Sequence, residues 1–373
     1  MKSQENPFIL TSFLGKKYFC DRENELKSLL SHVENDRNTV LYGWRGLGKS
    51  ALIHRVFDKL ESKGQYETLY VDMMTTESLE DVVKVIASAI FEKFGRGKPS
   101  ISSSMNKLFF ALGASIRFDP YSDMPDLNLG NQQSGRGEQS LHALGEFLKE
   151  KKKKIIIAID EFQQIDQFEE KNAAFIFKNW MQKFPDIHFI FCGNHVKRMV
   201  KVFAERDSPF YQSAQLVPLL PIPLDRYSGF IQDHFESRGK TISKEMIEKI
   251  YTWSRGQTYT IQLLCNYLFA QCSYVKDEDV NKICHEILEQ YLPVFASFPK
   301  MLTKAQWNLM KAIAKEEPLM NPMSKEFLAK HLLGAASTVS TALKSLQKQE
   351  LIFEEDGAYL VQEVLLSRWM KSL

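Results

Sequence analysis

Hydrophobic and polar positions divide the chain into two kinds of pattern. In the first half, apolar runs of strand length alternate with helix-period stretches. Thr39-Val40-Leu41-Tyr42 predicts a strand, and Ala51-Leu52-Ile53 with Val56-Phe57 predicts a helix after a glycine-rich loop. A second strand is expected at Thr68–Asp72 and a helix over Leu79–Phe94. Within the run from Lys154 to Asp160, Ile155 to Ile159 are continuously apolar, as a strand covered on both faces requires, and Ile187–Gly193 is another such strand. This alternation predicts an α/β fold, a parallel sheet with helices on both faces. Between about 95 and 139 the composition shifts to Ser, Gly, Asn, Asp and Pro. There 114–120 and 127–129 predict a hairpin whose turn carries the Asp/Pro cluster, on a surface excursion that is either a partner-binding arm or an insertion without function.

From Pro218 to Pro223 the pattern breaks, and helical spacing takes over around Tyr227–Ile231, Ile247–Tyr251 and Ile261–Leu268. A longer helix is expected over Val280–Tyr291. The last segment predicts a helix capped by Thr303, a second over Ser324–His331, a third starting at Ala335 or Ala336, and then two short strands around Glu354-Glu355-Asp356-Gly357. Three helices and a hairpin make a winged helix, and Asp-Gly suits a tight turn. The expected domains are a core at 1–217 with its insertion at about 95–139, a helical lid at 218–295 and a winged helix at 296–373.

Composition adds little constraint: 373 residues, 44% hydrophobic and 25% charged, describe an ordinary globular protein of two or three domains. The charge of +2, from 48 basic and 46 acidic side chains, neither demands nor excludes nucleic acid. Five scattered cysteines without a metal-ligand spacing predict buried thiols in a reducing compartment. The N-terminus has no secretory pattern and no long apolar run occurs, so a cytoplasmic protein without membrane contact is expected.

The candidate chemistry begins at Gly43-Trp44-Arg45-Gly46-Leu47-Gly48-Lys49-Ser50, with Ala51 behind it. Gly43, Gly48, Lys49 and Ser50 satisfy the phosphate-loop pattern, in which backbone N–H groups curl around phosphate oxygens, the helix start adds its dipole, Lys49 reaches the β- and γ-phosphates and Ser50 ligates Mg²⁺. Asp160 at the end of the apolar strand is then expected to hold Mg²⁺, and Glu161 to be the base that orients water for in-line attack. Asn194 ends the next strand, as a sensor that bonds the γ-phosphate or the lytic water, as the N-cap of the following helix, or as both. Lys151–Lys154 is expected to be a solvated helix end rather than a nucleic-acid patch.

Asn6-Pro7-Phe8, the box Phe19–Leu26, the glycine loop, Ile159-Asp160-Glu161-Phe162-Gln163, and Ser208-Pro209-Phe210-Tyr211 with Val217-Pro218-Leu219 together resemble the archaeal-type ATPase family, a STAND branch of the AAA+-related P-loop ATPases. The resemblance implies ATP with Mg²⁺, an α/β P-loop core, a helical lid and often a winged helix. It places Phe19 and Arg22 against the adenine. The lid departs from the family pattern: Thr258 stands where proline is expected in Arg255-Gly256-Gln257-Thr258-Tyr259, and Tyr259 where relatives of the replication-initiator kind have a sensor arginine. Arg206 and Arg255 are the alternative candidates for a catalytic arginine.

For the winged helix, Ser337, Thr338, Ser340, Thr341, Lys344 and Lys348 are expected on the outer face of the third helix, while the wing tip carries three acids that repel duplex phosphates. With ten Lys/Arg against eight Asp/Glu over 296–373, a protein partner is preferred to DNA. The expected function is a Mg²⁺-dependent ATPase switch, able to form a nucleotide-dependent oligomer, that couples nucleotide state to partner engagement. The rival is a nucleotide-gated adaptor that does not hydrolyse.

Overall fold

The computed structural model describes residues 6–10, 13–95, 102–118, 125–129 and 137–373, with the strands at 114–118 and 125–129 described by their backbone alone. Among these residues the strands are β1 (Thr39–Tyr42), β2 (Tyr66–Asp72), β3 (Ala114–Phe118), β4 (Pro125–Leu129), β5 (Lys154–Asp160), β6 (Ile187–Gly193), β7 (Gln215–Pro218), β8 (Ile352–Glu355) and β9 (Ala358–Val361). The chain forms two compact units: Arg22–Trp44 with Gly48–Leu220, and Met1–Asp21 with Arg45–Leu47 and Pro221–Leu373.

The first unit is built on a five-stranded sheet in the order β2-β5-β6-β1-β7, every neighbouring pair parallel. The continuous apolar run has the expected consequence: Ile155 to Ile159 are all buried, and so is every residue of β6. Each such aliphatic side chain contributes about 1.5–3 kcal/mol relative to exposure. The edge strand β7 carries Pro218, which an edge position tolerates because its outer side needs no ladder donor. Its exposed, short pattern is why periodicity gave no sign of it.

The hairpin expected in the insertion forms, with Ala114 opposite Leu129 and Phe118 opposite Pro125; its turn lies outside the described residues. The expectation of a surface excursion needs correction. A helix at Ser103–Ala111, capped by the Ser102 hydroxyl accepting from the Met105 N–H, buries Met105, Leu108 and Phe109 in the core of this unit. Its apolar positions recur at helical spacing and were masked by the serines around them. The lysine run lies just beyond the helix Gly137–Lys149, where Lys151 sits over the ring of Phe147, Lys153 pairs with Glu67 and Lys154 with Asp36.

In the second unit the three lid helices are Leu224–Glu236, Lys244–Trp253 and Thr258–Gln271, followed by Asp277–Phe295. Phe8, in the Asn-Pro-Phe string, packs among these helices, 5.6 Å from Phe235 and 5.8 Å from Phe269. The winged helix comprises helices Lys304–Glu316, Lys325–Lys330 and Ala336–Lys348, the antiparallel pair β8–β9, and a closing helix Val364–Ser372. Thr303 caps the first of them in a reciprocal box with Gln306. Asp356 and Gly357, both with positive φ, make the tight turn. All five cysteines are free thiols, Cys272 half-buried and the others buried. Among the described residues, no helix is long and apolar enough to cross a membrane.

Candidate functional site

Within the first unit, polar side chains collect where β1, β5 and β6 end. Gly43 leaves β1 because nothing larger fits: a Cβ there would lie 2.4 Å from the Leu219 carbonyl oxygen, which follows the paired edge strand. At the far end of the loop Gly48 takes a left-handed conformation, φ 88°, as N-cap of the helix Lys49–Glu61. Lys49, buried, donates through Nζ to the carbonyls of Gly43 and Trp44, both at 2.8 Å. Ser50 Oγ donates to Asp160 Oδ2 at 3.1 Å. A hydroxyl and a carboxylate so close are hard oxygen ligands of the kind Mg²⁺ takes while keeping waters and phosphate oxygens as its other partners. The donor set therefore fits the ion.

Glu161 follows Asp160 directly and bends the chain back, with φ 54° in the left-handed region, into a turn of 3₁₀ helix at Phe162–Gln167. For a residue other than glycine this costs about 1–2 kcal/mol, sustained where surroundings over-determine the conformation. The surroundings are evident. Phe162 is fully buried, its ring 4.4 Å from Phe191 and 5.2 Å from Phe210, which anchors the turn from below. Asn194 Nδ2 donates to Glu161 Oε1 at 2.7 Å, and Gln163 Nε2 donates to the other carboxylate oxygen. Burial first, and the neighbouring Asp160 charge second, raise the Glu161 carboxyl above the ordinary range.

Asn194 is not the helix cap. That role falls to His195, whose Nδ1 accepts from the Arg198 N–H at 3.2 Å, leaving the asparagine side chain directed to Glu161. A histidine cap is uncommon, so asparagine was the natural choice from sequence. Arg206 is exposed in the turn after the helix Val196–Ala204. Arg255, in the second unit, has its guanidinium on Glu317 and the Val361 carbonyl. Phe19 is half-buried, its ring 5.8 Å from Phe13. Arg22, in the first unit, is buried and pairs with Glu25 at 2.9 Å.

Two residues of this constellation were not anticipated as site residues. Tyr70, on the neighbouring strand β2, donates its hydroxyl to Asp160 Oδ2, and His54 stacks on its ring at 5.0 Å. Gln163, 2% exposed, ties Glu161 to Asn194, and its Oε1 is buried without a partner. For Tyr70 the sequence carries no local signal, because its place follows from the register in which β2 pairs β5 with Tyr70 opposite Ala158. Gln163 was visible only as one letter of the Asp-Glu-Phe-Gln string.

Residues 19–264 match the family model described as an ATPase domain predominantly from Archaea, and residues 293–372 match that of a probable winged helix domain. The chain belongs to this ATPase family. Among solved structures the ATPase is similar to the Walker-type ATPase PABY2304 of Pyrococcus abyssi, at 18% identity and a TM-score of 0.66, covering 98% of this chain and 99% of that one. It is also similar to the ORC2 protein of Aeropyrum pernix, solved as ADPNP-ADP complexes, at 13% identity and a TM-score of 0.59 over 99% and 96% of the two chains. The ORC1 protein of the same organism, solved in complex with DNA, has 15% identity and a TM-score of 0.54 over 95% and 92%. Likeness at these identities is one of fold. No curated protein sequence matches the ATPase.

Proposed function

We propose that the ATPase is a Mg²⁺-dependent switch that hydrolyses ATP at the strand tips and couples its nucleotide state to a partner held by the winged helix. The observation that carries this is the convergence of Ser50 on Asp160 at 3.1 Å and of Asn194 on Glu161 at 2.7 Å beside the glycine loop. Gly43 to Ser50, with Ala51, surround the triphosphate, Lys49 neutralises its terminal charge, and Ser50 with Asp160 hold Mg²⁺. Bound there, Mg²⁺ supplies electrostatic stabilisation of the transferring phosphoryl group. Glu161, aligned by Asn194 and Gln163, accepts the proton of the attacking water and orients it in line. Phe19 and Arg22 face the adenine. Arg206, exposed, acts on the nucleotide of a second copy, which makes the active form a nucleotide-dependent oligomer of the STAND kind. Its free thiols suit the reducing cytoplasm.

A core at 1–217, a lid at 218–295 and a winged helix at 296–373 are the working divisions. For the partner a protein is preferred, because the tip of the β8–β9 hairpin carries Glu354, Glu355 and Asp356. Duplex DNA is the second reading, favoured by the exposed Ser337, Thr338, Thr341, Lys344 and Lys348 on the helix Ala336–Lys348.

The test is γ-phosphate release from Mg·ATP, alone and with duplex DNA, with Lys49→Ala as the reference. Release is expected to fall by on the order of 100-fold or more in Lys49→Ala. Stimulation by DNA would establish the second reading. A rate indifferent to DNA would direct the search to a protein. Equal release by both proteins would overturn the site.

A further inference from the structure

The middle of the glycine loop, Arg45–Leu47, folds with the lid and winged-helix unit. Its three carbonyls are taken by three successive residues where the helix Thr258–Gln271 begins. Gln257 Nε2 donates to the Arg45 carbonyl at 2.9 Å, the Tyr259 backbone N–H to Gly46 at 2.8 Å, and Thr258 Oγ1 to Leu47 at 3.3 Å. The Tyr259 N–H is one of the first-turn donors a helix leaves without an internal acceptor, so the loop satisfies it. Gln257 is itself fixed, its Oε1 accepting from the Thr260 hydroxyl. Contact is close enough that a Cβ on Gly46 would lie 2.8 Å from the Gln257 side chain.

A planar trans peptide points its C=O and the next N–H in opposite directions. Fixing the carbonyls of Arg45, Gly46 and Leu47 therefore aims the N–H groups of Gly46, Leu47 and Gly48 the other way. Those are the amides a phosphate would meet. The proline expected at position 258 has no donor at all, so Thr258 supplies a bond that the family pattern would lack.

What places Gln257 and Thr258 lies just before them. Arg255 and Gly256 are both left-handed, with φ 52° and 67°. Arg255 is held there by donating to the Val361 carbonyl at 2.8 Å and pairing with Glu317 at 3.3 Å. The Glu317 carboxylate, 3% exposed, also accepts from Arg368 at 2.7 Å and from Ser367 at 2.6 Å, and Arg368 Nε donates to the Trp253 carbonyl at 2.7 Å. One carboxylate of the winged helix thus fixes the turn on both sides of Ser254.

We infer that Gln257 and Thr258 are positioning residues that aim the amides of the phosphate loop, and that Glu317 sets their place through Arg255, so that strain on the winged helix alters nucleotide affinity. This rests on the reading of Gly43–Ser50 as the phosphate site.

The experiment is Mg·ATP affinity by calorimetric titration, with KM and kcat, on the full chain. Gln257→Met with Thr258→Val is expected to raise Kd and KM about tenfold, equivalent to about 1.4 kcal/mol for the two hydrogen bonds lost, while kcat at saturation stays within about threefold and the melting temperature holds. Restoring the hydroxyl with Thr258→Ser beside Gln257→Met recovers part of the affinity. Glu317→Gln raises KM similarly, and adding it to the double variant changes little more, because the two act through one contact. Wild-type KM in the double variant, or an effect of Glu317→Gln that simply adds to it, would overturn the inference. Should Glu317→Gln not fold, the Thr258→Val and Thr258→Ser pair decides by itself. Lys49→Ala separates the two levels: if it keeps wild-type affinity, the phosphate site has failed, and if it alone loses affinity, only the positioning role has failed.

Discussion

Two polar clusters in the ATPase are opposites in the charge that dominates them. At the tips of β5 and β6, Asp160 and Glu161 set two half-buried carboxylates side by side among amides and hydroxyls, with the Lys49 ammonium as the cation acting on Glu161. Around Glu317, one carboxylate meets two guanidiniums, a hydroxyl and a backbone N–H. The first arrangement is costly by itself, as the raised Glu161 carboxyl records. The second is nearly complete. Crowded like charges mark a place where a cation or proton is to arrive, whereas a carboxylate enclosed by two guanidiniums holds elements together.

The largest effect that separates them is on turnover. Glu161→Gln keeps the shape and removes the proposed base, so phosphate release is expected to fall at least 100-fold while Mg·ATP binding persists. The same change should leave the melting temperature at neutral pH unchanged or higher. Because the folded-state carboxyl is raised, the stability tied to its protonated form is present at low pH and is lost as pH rises through that value. Catalysis needs the ionised form, so the rate rises with pH through the same raised value, above the ordinary carboxylate range. A rate that keeps its full level down into the ordinary carboxylate range would break the assignment. Thermal melts and a pH–rate profile check the two halves.

The Glu317 cluster should respond in the other direction. Arg368→Met keeps the apolar stem but leaves Glu317, 3% exposed, with one cation fewer, at a cost of about 3 kcal/mol. The expected outcome is a lowered melting temperature with kcat at saturating nucleotide retained. A loss of kcat without loss of stability would erase the distinction between the clusters.

What was legible in the sequence follows the same division. Periodicity placed β1 and β6 to the residue, because apolar strands in a parallel sheet are buried on both faces. The loop stood out by its fixed spacing and Asp160 with Glu161 by their place at the end of an apolar strand, and the structure brings Ser50 of the loop to Asp160. Tyr70 was not, since its contact with Asp160 depends on the pairing of β2 with β5, which no local pattern encodes. Nor was Glu317, whose partners Arg255 and Arg368 lie far from it in the chain and look from the sequence like surface charges. The helix Ser103–Ala111 was missed for a different reason, a polar composition concealing a short apolar stripe.

The smallest effect concerns what the winged helix touches. Lys344 and Lys348 are exposed on the helix Ala336–Lys348, among Ser337, Thr338 and Thr341. If that face met duplex phosphates, Lys344→Glu with Lys348→Glu would lower affinity steeply and reduce the salt slope by about two, one for each contact. The neighbouring hairpin argues against it. Glu355 is raised by burial and by Asp356, so ionising it beside a polyanion would cost still more. The expected outcome is therefore weak duplex binding that the double substitution changes by less than about threefold, measured by fluorescence anisotropy at two salt concentrations. A fall of more than tenfold, with the lower salt slope, would make this face a DNA reader and would mean that the acidic hairpin turns away from the duplex.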